Sequence, residues 1–116
     1  MERDYKRFPR DASGDVLWRM FCNGDRLDKP RMIDFALIFP AREDALAFGA
    51  ILLEQGYRVQ FSKYEKKNGL MWQIMVTPVM RPDHEEISRL EELLGRQAEV
   101  SRGRNDGWGC FEVRDE

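Results

Sequence analysis

From Met32 onward, the apolar residues of this chain change their spacing in an order that leaves few folds open. Met32 to Phe39 is almost unbroken in apolar residues and stops at Pro40. Ile33, Phe35, Leu37 and Phe39 share one face of an extended chain; Met32, Asp34, Ala36 and Ile38 share the other. Apolar residues on both faces mark a central strand, with Asp34 interrupting the second face. Arg42 to Gln55 then takes helical spacing. Ala45, Phe48, Gly49 and Leu52 repeat on one side, and Leu46 and Leu53 widen the stripe. Glu43 and Asp44 sit in the first turn, where the helix dipole favours acids. Gly56 ends the helix and Tyr57 can pack back on its last turn.

Alternation returns over Arg58 to Tyr64, with Val59 and Phe61 against Gln60 and Ser62. Lys66-Lys67-Asn68-Gly69 reads as a hairpin turn, because Asn and Gly tolerate positive φ. Leu70 to Thr77 is the returning strand, with Trp72, Ile74 and Val76 on one face. Pro82 fits the first position of a second helix whose stripe is Ile87, Leu90, Leu94 and Ala98. After Gly103 and a turn at Asn105-Asp106-Gly107, Trp108 to Val113 reads as the last strand. Phe111 and Val113 share one of its faces, Cys110 and Glu112 the other.

Strand, helix, strand, strand, helix, strand predicts an α+β ferredoxin-like sandwich: a βαββαβ chain with an antiparallel sheet and two helices on one face. An extra amino-terminal helix is expected over Asp15 to Cys22, stopped by Asn23-Gly24. Residues 1–12 are rich in charge and lack periodicity, so they read as a flexible arm. Residues 13–116 form one domain, which 116 residues can build without a metal or disulfide. Val16, Leu17, Met20 and Phe21 are expected to cover the sheet face that the two later helices leave open. An exposed interface there is the other reading.

Charge narrows the function classes. Nineteen basic and twenty-one acidic residues give a net charge of -2, which does not favour nonspecific nucleic-acid binding. No run approaches the roughly 18 apolar residues that span a bilayer. Cys22 and Cys110 lie in no CxxC pair and read as reduced thiols, so a cytoplasmic location is expected. His84 is the only histidine. It reads as a solvated residue at a helix start, and nothing local pairs it with a nucleophile. Cys/His clusters with zinc spacing are absent, as is a phosphate-cradling glycine loop. Phe35 and Trp72 sit on central strands but share their faces with aliphatics, so they make a poor platform for stacking RNA bases. Arg96, Arg102 and Arg104 form a modest basic group beside Trp108. No metal or cofactor is expected.

Arg104, Asp106 and Trp108 are the candidate partner-binding residues, because a Trp beside a charged turn suits a binding hot spot. The structural alternative has Trp108 packed on the second helix and Asp106 holding the turn.

Three segments give the chain a resemblance to the regulators of ribonuclease E activity, type B (RraB-like). The first is Ile33-Asp34-Phe35-Ala36-Leu37-Ile38-Phe39-Pro40 with the helix ending in Gly56-Tyr57. The second is Trp72-Gln73-Ile74, leading through Met80-Arg81-Pro82 to Ile87 and Leu90-Glu91. The third is Asn105-Asp106-Gly107-Trp108-Gly109-Cys110. The resemblance implies the same sandwich, no catalysis and no cofactor. It implies a protein partner, ribonuclease E, which the protein binds and restrains; with no long apolar run, membrane association is not expected. The family's enterobacterial members carry an acidic tail, whereas this chain stops at Glu116 with a net charge of -2. A small-molecule-sensing or RNA-binding module using the open sheet face is the alternative, and self-association is also open.

Overall fold

A computed structural model describes residues 2–63 and 72–114. In chain order it contains α1 (Ala12–Cys22), β1 (Arg31–Met32), β2 (Asp34–Phe39), α2 (Arg42–Glu54), β3 (Val59–Lys63), β4 (Trp72–Val76), β5 (Val79–Met80), α3 (His84–Val100) and β6 (Arg104–Gly109). The fold is mixed α+β. One sheet has the strand order β3-β4-β2-β6, with every neighbouring pair antiparallel. The short β1 and β5 pair separately as an antiparallel ribbon that sequence periodicity did not reveal. The hairpin expected at 66–69 lies outside the described residues.

The core follows the alternation in β2. Phe35, Leu37 and Phe39 are each at most 1 % exposed and point to one face, together with Ile74 and Val76 of β4. Phe48 and Leu52 of α2 and Ile87, Leu94 and Ala98 of α3 join them in one cluster. Each large side chain buried this way contributes about 1.5–3 kcal/mol. The Asp34 carboxylate on the opposite face accepts a hydrogen bond from Thr77 Oγ1 at 2.8 Å, which satisfies the one charge in the strand.

The first and last helices begin three residues before and two residues after where periodicity placed them, and a capping side chain sets each start. α1 starts at Ala12 rather than Asp15, because the Asp11 carboxylate accepts from the N–H of Gly14 at 2.7 Å. At α3, Asp83 is the cap and its carboxylate accepts from the N–H of Glu86 at 3.1 Å. Pro82 therefore precedes the helix rather than opening it. The arm expected over residues 1–12 is anchored: Phe8 is 2 % exposed and its ring lies 5.4 Å from those of Trp18 and Phe21. Arg3 ties the same segment down by donating to the carbonyls of Phe8 and Pro9.

Two placements differ more deeply. α1 does not form a lid on the second sheet face. Leu17 and Met20 join the same core as α2 and α3, and α1 packs beside α3. The last strand is Arg104–Gly109, four residues earlier than the alternation from Trp108 suggested. Asn105-Asp106-Gly107 is not a turn but a β-bulge inside the strand. Register runs Ile38 to Arg104 and Leu37 to Asn105, then jumps so that Phe35 meets Trp108. Gly107 makes this possible with φ of 105°, a conformation that side chains disfavour. Phe111, expected within that strand on one face with Val113, lies beyond it and is 91 % exposed.

α2 departs from its expected stripe as well. Ala45, Phe48, Gly49 and Leu52 are buried, but Leu46 and Leu53 are 39 % and 59 % exposed. They lie on the outward side of the helix.

Candidate functional site

The bulge distributes the three candidate residues of β6 over both sides of the sheet. Arg104 opposes Ile38 on the face away from the helices and is exposed. Asn105 opposes Leu37 on the helical face, where its amide donates to Glu91 Oε2 of α3 at 2.9 Å. Asp106 is half-buried at the bulge, whose backbone is pinned by a bond from the Gly107 N–H to Asn105 Oδ1 at 3.2 Å. Trp108 opposes Phe35, again on the helical face, and is half-buried. Its indole Nε1 donates to Ser13 Oγ of α1 at 2.9 Å. The geometry therefore keeps Arg104 and Asp106 together at the sheet edge and turns Trp108 the other way.

A shallow groove of about 290 Å³ runs between α1 and β6. Val16, Met20, Trp108 and Cys110 give it apolar surface, and Arg19 and Glu112 add one charge of each sign. Trp108 is half-buried beside this groove and its indole N–H is satisfied by Ser13, so what it leaves accessible is apolar ring surface. Ser13 was not among the sequence candidates, because α1 was expected to start after it. Asp11, three residues before Gly14, is the signal that could have moved that start.

Behind the groove, the carboxy-terminal segment is clipped to the connector after α1. Arg31 Nη1 donates to Asp25 Oδ2 at 2.8 Å and to the Phe111 carbonyl at 3.1 Å. Arg31 Nη2 donates to the carbonyl of Arg26, and Asp25 Oδ1 accepts from the N–H of Val113. Both charged side chains are buried, so each needs these partners to offset desolvation. Burial pushes the Cys110 thiol up from its ordinary range; the nearby Arg31 opposes this and Asp25 reinforces it. Cys110 is thus a neutral thiol at pH 7 rather than an activated nucleophile.

His84 opens α3, as expected of a helix-start residue, but it is not left to solvent. Its Nε2 lies 2.7 Å from Asp11 Oδ2, and its side chain is 20 % exposed. The Asp11 carboxyl is held below its ordinary value chiefly by the Gly14 N–H, with His84 contributing a hydrogen bond and charge. One carboxylate thereby serves the starts of both α1 and α3.

The basic group expected beside Trp108 is dispersed. Arg102 pairs with Asp44 of α2 at 2.7 Å and Arg96 with Glu92 at 3.7 Å. Phe35 is buried and Trp72 stacks on Phe61 with ring centroids 5.5 Å apart, so neither offers a free ring on the second sheet face. Among the described residues, no three of His, Cys, Asp and Glu converge as metal ligands, and no helix is long and apolar enough to cross a membrane.

Residues 10–110 match the family model described as RraB: Regulator of ribonuclease activity B. A search of curated proteins found no match. The matched span contains every strand and helix of the four-stranded sandwich and the bulge at Asp106-Gly107.

Proposed function

The chain belongs to the regulator of ribonuclease activity B family, and from that membership we propose that it binds ribonuclease E and slows RNA cleavage without catalysing a step itself. The family match over residues 10–110 carries this reading. The strand order β3-β4-β2-β6, joined by α2 and α3, supports a ferredoxin-like sandwich as the scaffold. Such a scaffold binds through surfaces, and its partner is set by the residues it exposes rather than by the fold.

Arg104, Asp106 and Trp108 are the contact residues in this reading. Arg104 offers an exposed cation at the sheet edge, Asp106 lies beside it, and Trp108 supplies apolar surface to the groove under α1. The partner is a protein in the cytoplasm, and the chain needs no cofactor for this role.

The test combines capture of the full chain on immobilised ribonuclease E with RNA cleavage at rising regulator concentration. Binding and a dose-dependent fall in cleavage rate are the expected results. Arg104→Glu should weaken both while leaving the thermal melt in place. A chain that neither binds the endonuclease nor slows it defeats the assignment to that enzyme.

A further inference from the structure

The two edges of the sheet are not alike. β6 runs beside α1, whereas β3 is the outermost described strand on the other side. Thr77 donates its N–H to the Arg58 carbonyl at 3.0 Å. Hydrogen-bonded pairs in an antiparallel ladder recur at every second residue. Gln60 and Ser62 therefore also face β4, and the N–H and C=O groups of Val59, Phe61 and Lys63 point outward. Five residues of strand with an open rim are a template for another strand.

The helix above that rim is apolar on its outer side. Leu46 and Leu53 are 39 % and 59 % exposed, and Ala50 lies between them. Charge on that side lies at the ends, with Arg42 and Glu43 at the start of α2 and Glu54 at its close. Arg42 also sits over the Phe61 ring, which links the helix face to the strand edge.

We propose that two copies of this chain pair edge to edge through β3, with α2 packing on α2 of the second copy. α2 lies over both β3 and β4, so its axis is set back from β3 by about half of the ~4.8 Å strand spacing. Adding β3 of a second copy at the same spacing brings the two α2 axes to about 10 Å apart, which is the packing distance of helices. A lone peptide strand on the same rim would leave Leu46 and Leu53 in water; a second copy covers them. Two-fold pairing about Gln60 sets Val59 opposite Phe61 of the second copy. The antiparallel helices then place Leu46 against Ala50 of the second copy, and Arg42 against Glu54 of the second copy. In the same register Leu53 lies along the aliphatic stem of Glu43 of the second copy, so the patch matches itself through Leu46 with Ala50 and Arg42 with Glu54, as a two-fold interface requires. The paired edge is the one away from Arg104, Asp106 and Trp108, which stay accessible.

Sedimentation or light scattering of the full chain over a concentration series tests this. The expected mass rises from 13.7 kDa to about twice that value, and folded Leu46→Glu stays at 13.7 kDa throughout. Arg42→Glu and Glu54→Arg should each raise the dimer dissociation constant about fivefold, and the double exchange should restore it. These two variants decide the matter if Leu46→Glu does not fold. Amides of Val59, Phe61 and Lys63 should exchange more slowly in the wild type than in Leu46→Glu. A wild type that stays at 13.7 kDa up to about millimolar concentration overturns the proposal, as does a double exchange that fails to restore pairing. A monomeric wild type in which Leu46→Glu abolishes ribonuclease binding also overturns it, and assigns the face to that partner.

Discussion

The guanidinium of Arg31 lies 2.8 Å from the Asp25 carboxylate with both side chains buried, and the same group reaches the Phe111 carbonyl 3.1 Å away. Removing one partner leaves the other as a buried, uncompensated charge. Asp25→Ala is therefore expected to cost about 3–5 kcal/mol, read as a lower urea midpoint at unchanged slope. A loss under about 1 kcal/mol, the range of surface ion pairs, would show that water already reaches the pair.

Two glycines carry different constraints. A Cβ on Gly103 would come within 3 Å of three ring carbons of Phe39, whereas one on Gly107 would meet nothing within 4 Å. Gly103→Ala should destabilise by about 1–3 kcal/mol through overpacking. Gly107→Ala should cost a similar amount, about 1–3 kcal/mol, but through backbone strain at φ of 105°. Phe39→Leu separates the causes in thermal melts: it should offset part of the first loss and none of the second.

The bond from Trp108 Nε1 to Ser13 Oγ joins β6 to α1 across 95 residues of chain. Ser13→Ala and Trp108→Phe should each cost about 1 kcal/mol. If the bond is the common cause, the double variant loses little more than either single one. Additive losses in chemical denaturation would mean that the two side chains act separately.

Asp11 links helix capping to pH. Its folded-state pKa lies below the ordinary 3.8, because the Gly14 N–H and His84 favour the carboxylate. A depressed acid contributes stability that is fully present above its unfolded pKa and is lost as pH falls through its folded value. Stability should accordingly decline on acidification below about pH 4. Asp11→Asn keeps a cap-competent side chain without the charge. Its stability curve should fall less steeply than the wild type between about pH 4 and pH 2. Parallel curves in that window would remove Asp11 from the account.

Much of the core was legible because its periods are regular. Phe35, Leu37 and Phe39 in β2, and Ile87, Leu94 and Ala98 in α3, point where alternation and helical spacing put them. Periodicity names an apolar face but not the neighbour that covers it, which is why α1 was expected across the sheet and packs beside α3 instead. Leu46 and Leu53 mislead for the same reason: apolar spacing alone does not separate a core stripe from an outward one. Asn105-Asp106-Gly107 carries turn chemistry, and the bulge uses that chemistry inside a strand. The Arg31–Asp25 pair had no local signal, since its meaning comes from closing on Phe111. Of the candidate site, Arg104 and Asp106 remain neighbours at the edge, while the position of Trp108 depends on a bulge that no spacing rule announces.

That bulge acts as a phase shift in the strand. Trp108 comes four positions after Arg104, and in an unbroken strand an even offset would put them on the same side. The single extra residue inverts the parity, so a cation looks outward and an indole looks inward from one short edge. Deleting Gly107 would restore the regular count. Trp108 would then follow Arg104 by three positions, an odd separation that again puts the two on opposite faces, so the indole would still point toward Ser13 from a strand without its bulge. The extra residue therefore supplies the local bend and added twist of this edge, while the regular count alone would already keep the cation and the indole on opposite sides.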